Sequence, residues 1–118
     1  TKDSLRSTYK DLLLTYFGNE VVLEENSDLE GLWIPHFYSS FYVYKYATGF
    51  ASAISIVNSI EKDGMAAVNK YKNFLKGGGS DYPLNLLKIA DVDLESGEPV
   101  DVCMKEFRRA LDEFSALF

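Results

Sequence analysis

The order of apolar and polar positions along the chain predicts helices. Apolar residues recur every three or four positions in residues 5–17 and again in residues 100–117, which is the spacing of one helix face. Gly18 follows the first segment, where a glycine commonly ends a helix in a left-handed conformation. Pro99 precedes the last segment and suits the first turn of a helix. We therefore expect one helix that ends at Gly18 and another that begins near Pro99.

The middle of the chain predicts one long helix in spite of a local pattern that is typical of a strand. Residues 41–46 are rich in aromatic and β-branched side chains at alternating positions, which is a strand signal. Helical spacing nevertheless continues beyond them, at Ala47, Phe50, Ala51, Ile54 and Val57. We interpret residues 39–62 as one long helix that Asp63 and Gly64 break.

Three shorter helices complete the expected fold. Asn26, Ser27 or Asp28 is placed to cap a short helix around residues 29–33. A helix over residues 65–76 is expected to end at Gly77, and Pro83 suits the start of a short helix to residue 89. The sequence thus predicts an all-α fold, a single helical domain over residues 1–118 with about five or six helices and one long central helix.

Composition and charge exclude several classes of protein. With 47% hydrophobic and 25% charged residues, we expect a collapsed core. A chain of 118 residues is expected to bury roughly two-thirds of the surface that its unfolded form exposes. The net charge of −6 opposes binding to phosphate backbones, so nucleic acid is not an expected partner. The longest uncharged run, residues 46–60, is too short and too polar for a membrane span. The only cysteine, Cys103, cannot form an internal disulfide, which fits a cytoplasmic protein.

The common catalytic and metal-binding motifs do not occur in the chain. A zinc site needs three or four ligands, whereas the chain has one His, one Cys and no HExxH or CxxC pattern. Ser39 and Ser40 follow His36 closely, but no GxSxG turn accompanies them. Cys103 lies on the apolar face of the last helix, where we expect a buried structural role. We therefore expect no metal ligands in this chain.

One histidine and four of the eight tyrosines fall within residues 36–46: His36, Tyr38, Tyr42, Tyr44 and Tyr46. If a helix began near His36, then His36 and Tyr44 would lie roughly 80° apart and could face one cleft, with Tyr42 on another face. In the alternative interpretation, the rings fill the core with their hydroxyls at its rim, and His36 bonds a backbone carbonyl. The residues alone leave both interpretations open.

Two blocks of the sequence resemble a known family. Residues 34–50 read IPHFYSSFYVYKYATGF, and residues 74–84 read FLKGGGSDYPL. In this order and at this distance they resemble the C-terminal part of oligoendopeptidase F, a zinc metallopeptidase of the thimet oligopeptidase clan. The resemblance extends to the flanking helices and so covers nearly the whole chain.

The resemblance implies a role within a larger, helical, zincin-like peptidase that hydrolyses short oligopeptides. The HExxH helix and the glutamate that completes the zinc site would lie upstream, in the remainder of the parent chain, so this part alone would be inactive. His36 and Tyr44 match the family residues that contact the transition state, and we expect them to be catalytic. Oligopeptide substrate would also contact four further residues, namely Tyr38, Tyr42, Tyr46 and Gly78.

A second hypothesis comes from a different class of protein. The chain would be a stand-alone helical module, without catalytic activity, that holds a peptide or a partner helix in a groove lined by the tyrosines. Both hypotheses expect aromatic hydroxyls on a concave surface.

Overall fold

The computed structural model describes residues 1–118 and confirms the all-α class. Five α-helices and two 3₁₀ helices follow one another in the order α1 (Lys2–Phe17), 3₁₀ (Ser27–Leu32), 3₁₀ (Pro35–Tyr38), α2 (Tyr44–Asp63), α3 (Met65–Gly77), α4 (Pro83–Ile89) and α5 (Glu98–Ser115). None of them combines the length and the apolar character that crossing a bilayer requires. The chain forms two compact units, the first unit Thr1–Val43 and the second unit Tyr44–Phe118.

Most helix ends lie where the glycines and prolines predict them. Gly18 ends α1 with a φ of 65°, and its N–H donates to the Leu14 carbonyl. Gly64 separates α2 from α3 with a φ of 59°. Because residues with a Cβ adopt a positive φ less readily than glycine, glycine is favoured at both ends. Pro83 begins α4, as its missing N–H predicts.

The prediction of one helix over residues 39–62 is wrong at its start, because α2 begins only at Tyr44. Pro35 opens a 3₁₀ turn that the Ser39 N–H closes on the His36 carbonyl at 3.3 Å, and Ser39 itself is extended. Phe41 then has a φ of 56°, which an α-helix does not accommodate. His36 and Tyr44 therefore lie on different elements, and the 80° relation expected on a shared helix does not exist.

A partly buried ion pair joins α1 to the first 3₁₀ helix within the first unit. Asp28 is buried and accepts hydrogen bonds from the Arg6 guanidinium, through Nε to Oδ2 and through Nη2 to Oδ1 at 3.1 Å. The hydrogen bond from Arg6 lowers the pKa of Asp28, so the carboxylate stays ionised at neutral pH. Asp28 is thus the partner of Arg6, while Asn26 takes the N-cap position without a side-chain cap bond.

The Tyr9 ring lies directly against Gly31. Burial, with Glu30 nearby, raises the pKa of the Tyr9 phenol, and the ring meets Phe37 edge to face at 6.3 Å. A Cβ at Gly31 would lie 2.6 Å from Tyr9 Cγ. Tyr9 Cγ lies next to the backbone and cannot move as freely as the end of a flexible side chain. Any residue larger than glycine at position 31 would therefore force the Tyr9 ring or the backbone to shift.

We predict that Gly31→Ala lowers the free energy of unfolding of the 118-residue chain by about 1–3 kcal/mol, the usual cost of overpacking. Urea unfolding followed by circular dichroism measures the change. In a Tyr9→Leu background the same substitution should cost much less, because the ring that it meets is gone. An equal cost in both backgrounds would show that the contact with Tyr9 is not the cause.

The core of the second unit consists of small side chains. Here α2 packs against α5 and α3, and α3 packs against α4. All buried hydrophobic residues of the chain belong to this unit: Ala51, Ala67, Leu86, Ala90, Val92 and Cys103. The burial of Cys103 agrees with its expected structural role.

The expected burial of two-thirds of the surface is wrong. The chain exposes 9449 Å², whereas two separate monomeric domains of these sizes would together expose about 7,700 Å². Relative to an unfolded chain, only about half of the surface is buried. The apolar helix faces that the sequence predicts are present, but much of their surface is not covered within their own unit, as in α1, where Leu5 is 60% and Phe17 53% exposed.

Candidate functional site

The first unit brings His36 and Tyr42 together. His36 lies in the 3₁₀ helix Pro35–Tyr38 and is half-buried. Its ring centroid lies 5.1 Å from that of Tyr42, with the two planes tilted by 51°. The expectation that Tyr42 lies on a face away from His36 is therefore wrong, because the bend at residues 39–43 returns Tyr42 to the imidazole. Tyr42 holds one side of the His36 ring.

Tyr38 has a partner in the backbone of the same unit. Its hydroxyl donates to the Leu32 carbonyl at 2.7 Å, which ties the two 3₁₀ helices together, while 72% of the residue remains exposed. The phenolic oxygen keeps its capacity to accept a hydrogen bond. Core filling does not describe these rings, since Tyr44 and Tyr46 are also more than half exposed.

The second unit contains a groove of about 1110 Å³. One wall is a single face of α2, and the other is formed by α3, α4 and the loop that follows α4. Most of the surface is apolar, and the residues that offer polar side-chain atoms are Tyr44, Lys45, Thr48, Ser52, Tyr71, Tyr82, Asn85 and Glu95. A largely apolar cleft with a few polar groups is the usual form of a peptide or small-ligand site.

Tyr44 lies in the first turn of α2 and lines this groove, with 62% of its surface exposed. Thr48 and Ser52 continue the same face at intervals of four residues. Tyr46 is two positions further along α2, about 160° around the helix axis from Tyr44, and does not line the groove. The tyrosine run of the sequence is thus divided between the groove and other surfaces.

The glycine-rich block forms the turn between α3 and α4. Gly78 ends α3 with a φ of 53°, and its N–H donates to the Leu75 carbonyl at 3.3 Å. Asp81 Oδ1 accepts from the backbone N–H of Tyr82 at 2.7 Å and from Asn85 Nδ2 at 3.1 Å, which fixes the start of α4. Gly78 does not line the groove. Its positive φ at the end of α3 is a structural reason for a glycine at this position.

Sequence reasoning missed part of the groove wall. Tyr71, Tyr82 and Asn85 line the groove, but none of them was a predicted site residue. Tyr82 lies inside the block GGGSDYP, so this block was the signal available. Tyr71 carried no such signal, because in the sequence it is one of several residues on the apolar face of α3.

A charged cluster lies next to the groove on α4 and the loop after it. Lys88 pairs with the groove residue Glu95 and lies 3.6 Å from Asp93. The hydrogen bond to Glu95 raises the pKa of Lys88, so the ammonium stays charged. Glu95 is thereby neutralised in part, and the groove does not present it as a free carboxylate.

The residues of this chain do not fit a zinc ion. A structural or catalytic zinc site needs at least three His, Cys or carboxylate ligands around one point. No group of three such side chains that could hold a metal occurs in the structure. His36 belongs to the first unit and Cys103 to the second, so the two softest ligands of the chain lie on different units.

Comparison with known proteins identifies relatives over nearly the whole chain. A model of Peptidase family M3 matches residues 1–106. Oligopeptidase PepF of Bacillus subtilis is 44% identical over 117 residues, which are 99% of this chain and 18% of that protein. An oligoendopeptidase F homolog of Borreliella burgdorferi is 46% identical over 99% of this chain and 20% of its own length.

A solved structure gives the same result for the fold. The crystal structure of a candidate peptidase from Chlamydophila abortus superposes with a TM-score of 0.81 at 39% identity. It covers 100% of this chain, which in turn covers 20% of that structure. The chain thus spans about a fifth of the length of the relatives that it matches. Because the family model matches residues 1–106, the chain belongs to Peptidase family M3.

Proposed function

We propose that residues 1–118 are the C-terminal helical domain of an oligoendopeptidase F-like zinc metallopeptidase that hydrolyses short oligopeptides in the cytoplasm. The observation that carries this proposal is the match to Peptidase family M3 over residues 1–106, in a chain that spans about a fifth of its relatives. Zinc is held by the remainder of the parent chain. The part described here contributes groups that bind the peptide and stabilise the charge that develops on it.

Tyr44 is proposed to donate a hydrogen bond to the carbonyl oxygen of the peptide under attack. Its side chain is 62% exposed and lines a largely apolar groove, so it is accessible to a bound peptide. A phenol donates without being a strong acid, so it stabilises an oxyanion without protonating it beforehand. Apolar side chains of a peptide would pack against the apolar walls of the groove.

His36 is proposed as the second catalytic contact. An imidazole offers an N–H donor in both of its protonation states. The ring is half-buried and held on one side by Tyr42, which restricts its rotation and so favours a preorganised donor. Substrate-binding contacts are proposed for Tyr38 and Tyr42, which lie in the first unit with His36. Contacts are also proposed for Tyr46 and Gly78, which do not line the groove, and for these two the proposal rests on the family resemblance alone.

Three proteins test the proposal: the parent chain, the parent chain without residues 1–118, and the 118-residue chain alone. We expect the parent to cleave short peptides, to lose this activity with a zinc chelator and to regain it with Zn²⁺. The truncated parent should be inactive, and the isolated chain should neither cleave peptides nor retain zinc through gel filtration. Peptide cleavage by the isolated chain, or a parent that cleaves no peptide, would contradict the proposal.

The alternative of a stand-alone binding module is supported by one feature, the apolar groove of the second unit. Fluorescence anisotropy of labelled peptides separates the two functions. A module would bind a peptide to the isolated 118-residue chain with micromolar affinity or better, whereas part of an enzyme whose site also needs other groups would bind it weakly.

A further inference from the structure

Helix α5 has two neighbouring apolar faces, of which only one is covered. Pro99 and Cys103 are buried where α5 packs against α2. The second face consists of Val100, Met104, Phe107, Leu111 and Phe114, which are 48–62% exposed. We call these five residues the α5 stripe. At 100° per residue, the five residues of the stripe lie within about 80° of one another around the helix axis. Their mean direction is about 60° from that of Cys103 and about 100° from that of Pro99, the two buried residues.

The spacing of the α5 stripe is that of a helix-packing seam. Its members follow one another at intervals of four, three, four and three residues, a repeat of 3.5 that extends over about 20 Å of helix. No polar residue interrupts the repeat, and the ring of Phe118 continues it by lying 5.1 Å from that of Phe114. Such a repeat favours a second helix at a shallow crossing angle rather than an extended strand or a small ligand.

The charged side of α5 is occupied with its own partners. Arg109 Nε donates to Glu106 Oε1 at 3.0 Å, and Nη1 of the same guanidinium pairs with Glu113. Over its whole length α5 carries five acidic and three basic residues. The stripe is therefore the apolar part of α5 that its own unit does not cover. The charged residues on its open side balance in charge, namely Asp101, Lys105, Arg108 and Asp112.

We propose that the α5 stripe is the docking surface for an amphipathic helix supplied by the remainder of the parent chain. This inference rests on the proposed function in one respect, that the chain is part of a longer peptidase. The occupant follows from two observations. About four-fifths of each relative lies outside the matched part, and a second copy of this chain, also at −6, would bring like charges together.

Photo-crosslinking in the full-length parent tests the proposal. Phe107 is replaced by p-benzoylphenylalanine, and irradiated protein is separated by mass and digested for mass spectrometry. We expect a cross-link within one polypeptide, from position 107 to a helix outside residues 1–118. The matched control places the same amino acid at Lys105, on the charged side of α5, and should give no such cross-link. A product of twice the chain mass, or no product specific to position 107, would overturn the proposal.

A second variant separates docking from misfolding. Phe114→Asp in the cross-linker background places a carboxylate in the seam and should reduce the yield at position 107 by about tenfold, because burying an unpaired charge is unfavourable. Asp112→Asn, on the charged side, should leave the yield unchanged. An unchanged yield with Phe114→Asp would show that the stripe is not covered.

The readout does not depend on peptidase activity. An inactive parent that still forms the intramolecular cross-link would refute the proposed function and leave the docking surface in place. An active parent without the cross-link would do the reverse.

Discussion

Tyr44→Phe in the parent peptidase is expected to lower kcat by about 100- to 1,000-fold, with little change in KM. The substitution keeps the ring that lines the groove of the second unit and removes only the hydroxyl. One hydrogen-bond donor to an oxyanion contributes roughly 3–4 kcal/mol to transition-state stabilisation, which gives this factor. Steady-state kinetics on a short fluorogenic peptide measures it.

The control for Tyr44 is another exposed phenol, one that is not among the residues lining the groove. Tyr16 on α1 is 81% exposed, so Tyr16→Phe should leave kcat within a factor of two. If Tyr44→Phe changes turnover by less than threefold, Tyr44 is not the donor, and the role passes to Tyr42 or Tyr38. A loss in kcat that is accompanied by a large fall in Tm would instead indicate a damaged fold.

His36→Ala is expected to lower kcat/KM by about the same 100- to 1,000-fold, because it removes a preorganised N–H donor. His36→Gln keeps an N–H donor at a similar distance from the backbone and should recover part of the loss. Activity measured for both variants with the same peptide provides the comparison. A glutamine variant as inactive as the alanine variant would argue that the imidazole itself, rather than its donor, is needed.

The contact between His36 and Tyr42 calls for a further control. Removing the imidazole also removes the ring against which Tyr42 packs at 5.1 Å. Tyr42→Phe keeps this ring contact and removes only the hydroxyl, so it should lose much less activity than His36→Ala if His36 is the catalytic group. A loss in Tyr42→Phe equal to that in His36→Ala would assign the catalytic role to the Tyr42 hydroxyl.

The sequence singled out a cluster of candidate residues but not their arrangement. The cluster of His36 with four tyrosines stands out in the sequence, because such a density of polar aromatic residues is unusual. Their grouping depended on where α2 begins. Helical spacing is continuous through residues 41–57, and nothing in that pattern shows that Phe41 adopts a φ of 56°.

Burial was the other property that the pattern of residues could not provide. Periodicity identifies which face of α5 is apolar, but it does not say which part of a wide apolar face another helix covers. In the structure Cys103 is buried while Phe107, four residues later, is 62% exposed. Chain length predicted a larger buried surface, because the relation between size and burial holds for complete monomeric domains.

The sequence by itself determined the helical class, the breaks at Gly18, Gly64 and Pro83, and the resemblance to the peptidase family. These are local properties, since a positive φ or a missing N–H acts on the backbone at its own position. Only the tertiary structure decided that His36 meets Tyr42, that Tyr44 lines a groove with α3 and α4, and that the α5 stripe is uncovered. Contacts of this kind depend on how separate elements pack, and packing is not a property of any single segment.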